Sequence, residues 1–278
     1  MSELTCAAAI AEARRRGVDA LDAQILLARI LGMTRTGVIA HGERSLQPTE
    51  RKHWQDWVGR RSAGEPLAYL LGEREFHGLR LEVTPDVLVP RPETELLVDW
   101  ALECLQRPPR TATVADLGTG SGAIALAIKH RHPQANVTAT DVSAPALAVA
   151  ARNARRLGLE IEFLAGTWWQ PLGMRRFDVV VANPPYIAAD DRHLAALRHE
   201  PLAALTPGGD GLAALQAIID GALKHLEPGG WLLVEHGFDQ QGPVGARMIS
   251  AGLTAIETRA DLAGRPRATA ARRQGDTA

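Results

Sequence analysis

Phe177-Asp178-Val179-Val180-Val181-Ala182-Asn183-Pro184-Pro185-Tyr186 sets an apolar run directly before an amide, two prolines and an aromatic ring. A continuous apolar run of this length fits a strand covered on both faces, as in a parallel sheet. Two successive prolines cannot donate to a ladder, so the strand stops at Asn183. The residue before a proline is driven away from helical geometry, which keeps Asn183 extended. The result is a stiff ledge at a carboxyl strand end, where open α/β sheets bind their ligands, and it suits a flat, amide-like nucleophile. A proline-rich turn between strand and helix is the plain alternative.

The sequence around this ledge repeats one rhythm. Strands are expected at Thr113-Asp116, Val137-Asp141, Ile161-Ala165, Phe177-Asn183 and Trp231-Glu235, with helices at Ala123-His130, Pro145-Leu157 and Leu212-Leu226. Alternating strands and helices give a mainly parallel sheet with helices on both faces. Two weaker strands, Leu253-Arg259 and Arg267-Ala271, bring the number to seven, and the end of the tail is expected to fray.

The first part of the chain has a different period. Leu21, Ile25, Leu26, Ile30 and Leu31 fall on one helical face, and Gly17, Gly32, Gly42 and Pro48 cut the segment into short helices. Asp19 and Thr49 are candidate helix caps. Arg14, Arg15 and Arg16 read as a solvated helix end. Phe76, Leu79, Leu81, Val83, Val87, Leu88 and Val89, broken by Gly72, Gly78 and Pro85, read as a β-hairpin. Pro92 and the acids after it open a further helix through Trp100, which Pro108-Pro109 ends.

Composition removes several classes. A chain of 278 residues with 46% hydrophobic residues allows one large domain, or one medium and one small. Lys+Arg 31 against Asp+Glu 32 leaves a net charge of -1, which disfavours bulk nucleic-acid binding through phosphates. Cys6 and Cys104 lack metal-ligand spacing and suit a reduced compartment, and no metal is expected. The N-terminus carries charges without a sustained apolar stretch, so neither a signal peptide nor a membrane span is expected. Cytoplasmic residence follows as the expectation.

Asp116-Leu117-Gly118-Thr119-Gly120-Ser121-Gly122 lies between the first sheet strand and a helix, the context a nucleotide-binding glycine loop requires. Gly118, Gly120 and Ala123 also satisfy a relaxed dinucleotide fingerprint, and a tight structural turn is the plain alternative. Asp141 ends the next strand and suits the two hydroxyls of a ribose, or else caps the helix that follows. Trp168 and Trp169 after the third strand offer a flat face to a base, or ordinary core packing.

Together these residues resemble the class I S-adenosylmethionine-dependent methyltransferases that modify planar nitrogens. Gly64-Glu65-Pro66-Leu67-Ala68-Tyr69, Gly72-Glu73-Arg74-Glu75-Phe76 and Val89-Pro90-Arg91-Pro92-Glu93-Thr94-Glu95 are similar to the PrmC/HemK family. Arg198-His199-Glu200-Pro201, Gly208-Gly209-Asp210-Gly211 and Glu235-His236-Gly237 extend the likeness over nearly the whole chain. Members of that family methylate the glutamine amide of the Gly-Gly-Gln motif in peptide chain release factors.

The resemblance implies a helical substrate-recognition domain over residues 1–72, a hairpin connector over 73–91 and a methyltransferase domain over 92–278. It implies S-adenosylmethionine held by Gly118, Thr119, Gly120, Ser121, Gly122, Asp141, Trp168 and Asn183. Asn183, Pro184, Pro185 and Tyr186 form the implied substrate ledge, with Asn183, Pro184 and Tyr186 catalytic. Arg91 and Glu93 are implied to border the substrate cleft, with helix capping and a surface ion pair as the plain alternatives. The partner implied is a release factor met by a monomer, with no stable nucleic acid and no membrane. Two departures stand out: Thr167 where the family usually has an acid, and Arg267-Ala268-Thr269-Ala270, a poor β former at the last strand. A DNA adenine-N6 methyltransferase, a nicotinamide dehydrogenase and a non-catalytic release-factor binder are the alternatives.

Overall fold

In the computed structural model, residues 3–105 and 111–275 are described. The helix end expected at Pro108-Pro109 and the extreme tail lie outside them. The first unit, Met1–Glu73, contains helices α1 (Cys6–Arg15), α2 (Ala20–Leu31), α3 (Arg35–Ala40), α4 (Pro48–Ser62) and α5 (Leu67–Leu71). Asp19 caps α2 by accepting the Leu21 N–H at 2.7 Å, and Gly32 ends it at φ 63°. Two expectations shift here. Thr49 does not cap α4: Pro48 takes the first helical position and Glu50 reaches back to the Gln47 N–H at 2.8 Å. The apolar face of α2 is centred on Ala23, Leu26 and Leu27, which pack with Trp54 and Val58, while Leu21 is exposed. Arg14, Arg15 and Arg16 form an exposed helix end, as the sequence reads.

The second unit, Arg74–Ala278, carries the sheet. It opens with the hairpin of β1 (Glu73–Phe76) and β2 (Leu79–Glu82), whose first residue is the last of the preceding unit. His77 and Gly78 form its two-residue turn with φ 49° and 81°. The hairpin is shorter than expected. Residues 83–91 form no strand, because Pro85 and Pro90 interrupt the run and Glu200, rather than a neighbouring strand, accepts the Val89 N–H.

Then come α6 (Glu95–Cys104), β3 (Thr113–Leu117), α7 (Ala123–Arg131), β4 (Asn136–Asp141), α8 (Ala144–Leu157), β5 (Glu162–Ala165), β6 (Phe177–Ala182), α9 (Ala213–His225), β7 (Leu226–Glu235), α10 (Gln241–Ser250), β8 (Thr254–Ala260) and β9 (Pro266–Arg272). The seven sheet strands are ordered β5-β4-β3-β6-β7-β9-β8, parallel except for β9, which runs against both neighbours. Alternation along β6 sends Val179 and Val181 to the α6 and α7 side, and Val180 and Ala182 to the side of α9 and α10. Both faces are thus covered, as the uninterrupted valines require.

Three elements depart from the sequence reading. β7 begins at Leu226, not Trp231: Pro228-Gly229-Gly230 reads as a turn but is carried in the strand, with a register shift against β6. Helix α10 is absent from the reading because Gly242, Pro243 and Gly245 discourage a helix; it forms because Val244 and Met248, one turn apart, bury against the sheet. β9 is not a doubtful edge. Its Ala268, Thr269, Ala270 and Ala271 are fully buried between β7 and β8, where pairing on both sides overrides weak propensity, and β8 is the edge.

Candidate active site

The carboxyl ends of β3, β4 and β6 converge on a cavity of about 230 Å³. Gly118, Thr119, Gly120 and Ser121 line one part of it, Asp141 and Trp168 another, and Asn183 and Pro185 a third. A larger open groove of about 910 Å³ starts from Thr113, Asn136 and Phe177, at the opposite strand ends, and contains none of these residues.

The glycine loop is fixed by its neighbours. Gly118 and Thr119 donate N–H groups to the Thr140 carbonyl at 2.8 and 2.9 Å, and Gly120 donates to Asp141 Oδ2 at 2.9 Å. A Cβ on Gly118, where φ is 76°, would lie 3.1 Å from the Trp168 ring, so the glycine admits the indole. Gly122 has a different role from the other loop residues. It does not line the cavity, and its Cβ would stand 2.9 Å from Leu126 and 3.2 Å from Ala150, which makes it the contact between α7 and α8.

Asp141 does not cap α8. Ser143 does, accepting the Ala146 N–H at 3.2 Å, while Asp141 Oδ1 accepts the Ser143 N–H at 2.8 Å. With one backbone N–H on each oxygen, the carboxylate is held in a fixed plane and keeps lone pairs for two neighbouring hydroxyls. Burial pushes its pKa up, against those hydrogen bonds.

The two tryptophans part company. Trp168 has a left-handed backbone, φ 45°, a costly geometry for a bulky residue, and lines the cavity. Trp169 stacks on His225 with centroids 4.7 Å apart and donates to the Ile218 carbonyl at 3.1 Å, so it belongs to the core. Thr167 lines the cavity where the family pattern has an acid.

Around the ledge, Pro184 is buried and neither it nor Tyr186 lines the cavity. The Tyr186 hydroxyl donates to Glu235 Oε1 at 3.0 Å, and its carbonyl accepts from Gln240 Nε2 at 2.9 Å. Thr94 donates to Glu235 Oε2 at 2.7 Å and accepts from Asn183 Nδ2 at 3.1 Å. Burial raises the pKa of Glu235 and of Tyr186. Glu200 holds the segment 83–91 at the cavity wall, accepting from the Val89 N–H at 3.1 Å and from the Arg91 guanidinium. Asn153, fully buried, joins the hairpin to the glycine loop through the Glu82 and Ser121 carbonyls, each at 3.0 Å.

The sequence reading gave no role to Thr94, Glu235, Glu200, Gln240 or Asn153. The first three lie inside quoted family motifs, so position was the available signal. Asn153 and Gln240 carried none.

Asp116 lies beneath the loop, fully buried. Its Oδ2 accepts from the Thr119 hydroxyl at 2.6 Å and the Ala125 N–H at 3.2 Å, while Oδ1 has no hydrogen-bond partner among the described residues. Burial pushes its pKa from 3.8 up to about 7. The folded state therefore keeps a proton that the unfolded chain releases, and stability from this group falls as pH rises between about 4 and 7. Asp116→Asn removes the charge, so its stability relative to the parent should rise across that window, by at most about 4 kcal/mol. Thermal melts across the pH range without ligand check this; parallel profiles for parent and variant would contradict it.

Comparison with known proteins gives these residues a family. Residues 94–210 match the model described as the Methyltransferase small domain, and residues 4–72 the PrmC N-terminal domain. A release factor glutamine methyltransferase of Bordetella pertussis is 50% identical over 253 residues, covering 89% of this chain and 93% of that protein. The chain belongs to the release factor glutamine methyltransferase family. Another member, from Burkholderia pseudomallei, is 48% identical over 272 residues, covering 94% of this chain and 95% of that protein. A solved methyltransferase from Pyrococcus furiosus matches with TM-score 0.55 at 18% identity, over 79% of this chain and 99% of that one, a likeness of fold alone. The sheet and its helices are those of a class I S-adenosylmethionine-dependent methyltransferase. Of the ledge network, Thr94 and Tyr186 fall inside the segment matched by the Methyltransferase small domain, whereas Glu235 and Gln240 lie beyond it.

Proposed function

We propose that this chain transfers a methyl group from S-adenosylmethionine to the side-chain amide nitrogen of the glutamine in the Gly-Gly-Gln motif of peptide chain release factors, giving N5-methylglutamine. One observation carries the proposal: the glycine loop, Asp141, Trp168 and Asn183 line a single cavity.

The residues present fit the methyl donor. Asp141 suits the ribose hydroxyls, Trp168 the adenine face, and Gly118 and Gly120 let the chain come close without side chains. The donor supplies an electrophilic methyl group on a sulfonium. Everything else falls to the protein.

A glutamine amide is a weak nucleophile because its nitrogen lone pair is delocalised into the carbonyl. Catalysis therefore consists of holding that nitrogen in line and favouring the localised lone pair. Asn183 Oδ1 and the Pro184 carbonyl are the proposed acceptors of its two N–H bonds, and both stabilise positive charge as it grows on nitrogen. Pro185, at the cavity wall, bounds the ledge. Tyr186 enters as the anchor of the ledge, tied at its hydroxyl to Glu235 and at its carbonyl to Gln240. The proton leaves after methyl transfer, so no strongly shifted base is required.

The helical unit, residues 1–72, supplies a second contact surface for a folded protein substrate. The enzyme acts as a monomer in the cytoplasm; among the described residues no helix is long and apolar enough to cross a membrane. Transfer of isotope-labelled methyl to release factor and to DNA, assayed side by side, tests the substrate class. Label in the release factor is expected. Label in DNA alone would contradict the proposal, and complex formation without transfer would point to a non-catalytic binder.

A further inference from the structure

An asparagine amide has one accepting end and one donating end, nearly equal in size, so its usefulness as an acceptor depends on which end is held where. At the end of β6 the amide is held. Asn183 Nδ2 donates to Thr94 Oγ1 at 3.1 Å, and that hydroxyl donates in turn to Glu235 Oε2 at 2.7 Å. The remaining Glu235 oxygen accepts the Tyr186 hydroxyl at 3.0 Å. Thr94 and Glu235 are only 4% and 2% exposed, so solvent does not offer substitute partners.

The direction of this chain follows from its last member. Both Glu235 oxygens accept, one from the Tyr186 hydroxyl and one from Thr94, so the single proton of the Thr94 hydroxyl is turned toward Glu235. The Thr94 oxygen then has only lone pairs to offer Asn183, and only the NH₂ end of the amide can meet them. Turning the amide over would set two acceptors against each other. Asn183 and Thr94 both line the cavity, and Oδ1 is the end left for a ligand there.

We propose that Thr94 and Glu235 are positioning residues that orient the Asn183 amide so that Oδ1 accepts from the substrate nitrogen, an inference that rests on the role given to Asn183 above. Glu235 also anchors Tyr186, so one buried carboxylate fixes both ends of the ledge.

The test is a double-mutant cycle on the full chain, read by single-turnover methyl transfer to release factor and by calorimetric binding of S-adenosylmethionine. Thr94→Val should lower kcat by roughly 10- to 100-fold while the Kd for S-adenosylmethionine stays within about twofold, and Thr94→Ser should restore most of the rate. Because Thr94 acts through Asn183, the Asn183→Ala/Thr94→Val double variant should be no more than about twofold slower than Asn183→Ala alone. A double variant slowed by the product of the two single effects would overturn the inference while leaving the role of Asn183 intact. A normal rate for Asn183→Ala would instead remove that role and the inference with it. Should Thr94→Val fail to fold, Thr94→Ala, which also removes the hydroxyl and adds no bulk, carries the same cycle with the same outcomes.

Discussion

Asn183→Ala is expected to lower kcat for methyl transfer by about 10²- to 10³-fold, the usual effect of removing one pre-aimed polar group from a developing charge. Binding of S-adenosylmethionine should change far less, because Asp141, Trp168 and the glycine loop hold most of that ligand in the proposed arrangement. The strand itself should survive: Val179, Val180, Val181 and Ala182 are fully buried and do not depend on the amide. Rapid-quench transfer assays with calorimetric titration of the donor separate the two effects. A variant with normal donor affinity and a near-normal rate would remove Asn183 from the chemistry.

Gly211→Ala should have a large effect although Gly211 lies outside the cavity lining. A Cβ there would lie 2.3 Å from the Tyr186 carbonyl oxygen and 3.0 Å from Gln240 Nε2, in a backbone with φ 82°. Both the collision and the left-handed backbone penalise alanine, together by about 2–4 kcal/mol. The atom that must yield is the carbonyl tying the ledge to Gln240, so the transfer rate should fall along with the melting temperature. Gly209→Ala is the control, since its Cβ would meet nothing within 4 Å and its φ of 55° leaves only the backbone cost. Equal melting temperatures and rates for the two variants would show that the approach to Tyr186 carries no weight.

The alternating part of the fold was legible because its strands are buried on both faces and its helices are punctuated by glycine and proline. Val179-Val180-Val181 cannot be a half-exposed strand, and the parallel sheet follows from that. Features decided by tertiary contacts were not legible. β9 is built from alanine and threonine, and it pairs because β7 and β8 both offer it an unsatisfied edge. Helix α10 contains two glycines and a proline, and buries Val244 and Met248 regardless. At the candidate site, the loop residues and Asp141 could be read because each follows a strand at a fixed offset. Trp168 and Trp169 could not be told apart, because only the left-handed turn at Trp168 sends the two rings to different places. Thr94 and Glu235 escaped for a further reason: 141 residues separate two ordinary side chains, and only the folded chain brings them within 2.7 Å. What sequence yields most readily is chemistry carried by one segment. Chemistry assembled from three segments, as in the hold on Asn183, appears only with the fold.

Mass spectrometry of the Gly-Gly-Gln peptide, recovered from release factor after incubation with the enzyme and S-adenosylmethionine, tests the central claim most directly. One added methyl group on the glutamine side-chain amide, lost when the donor is omitted and strongly reduced with Asn183→Ala, is the predicted result. An unmodified glutamine, or a methyl group found only on another residue, would contradict it.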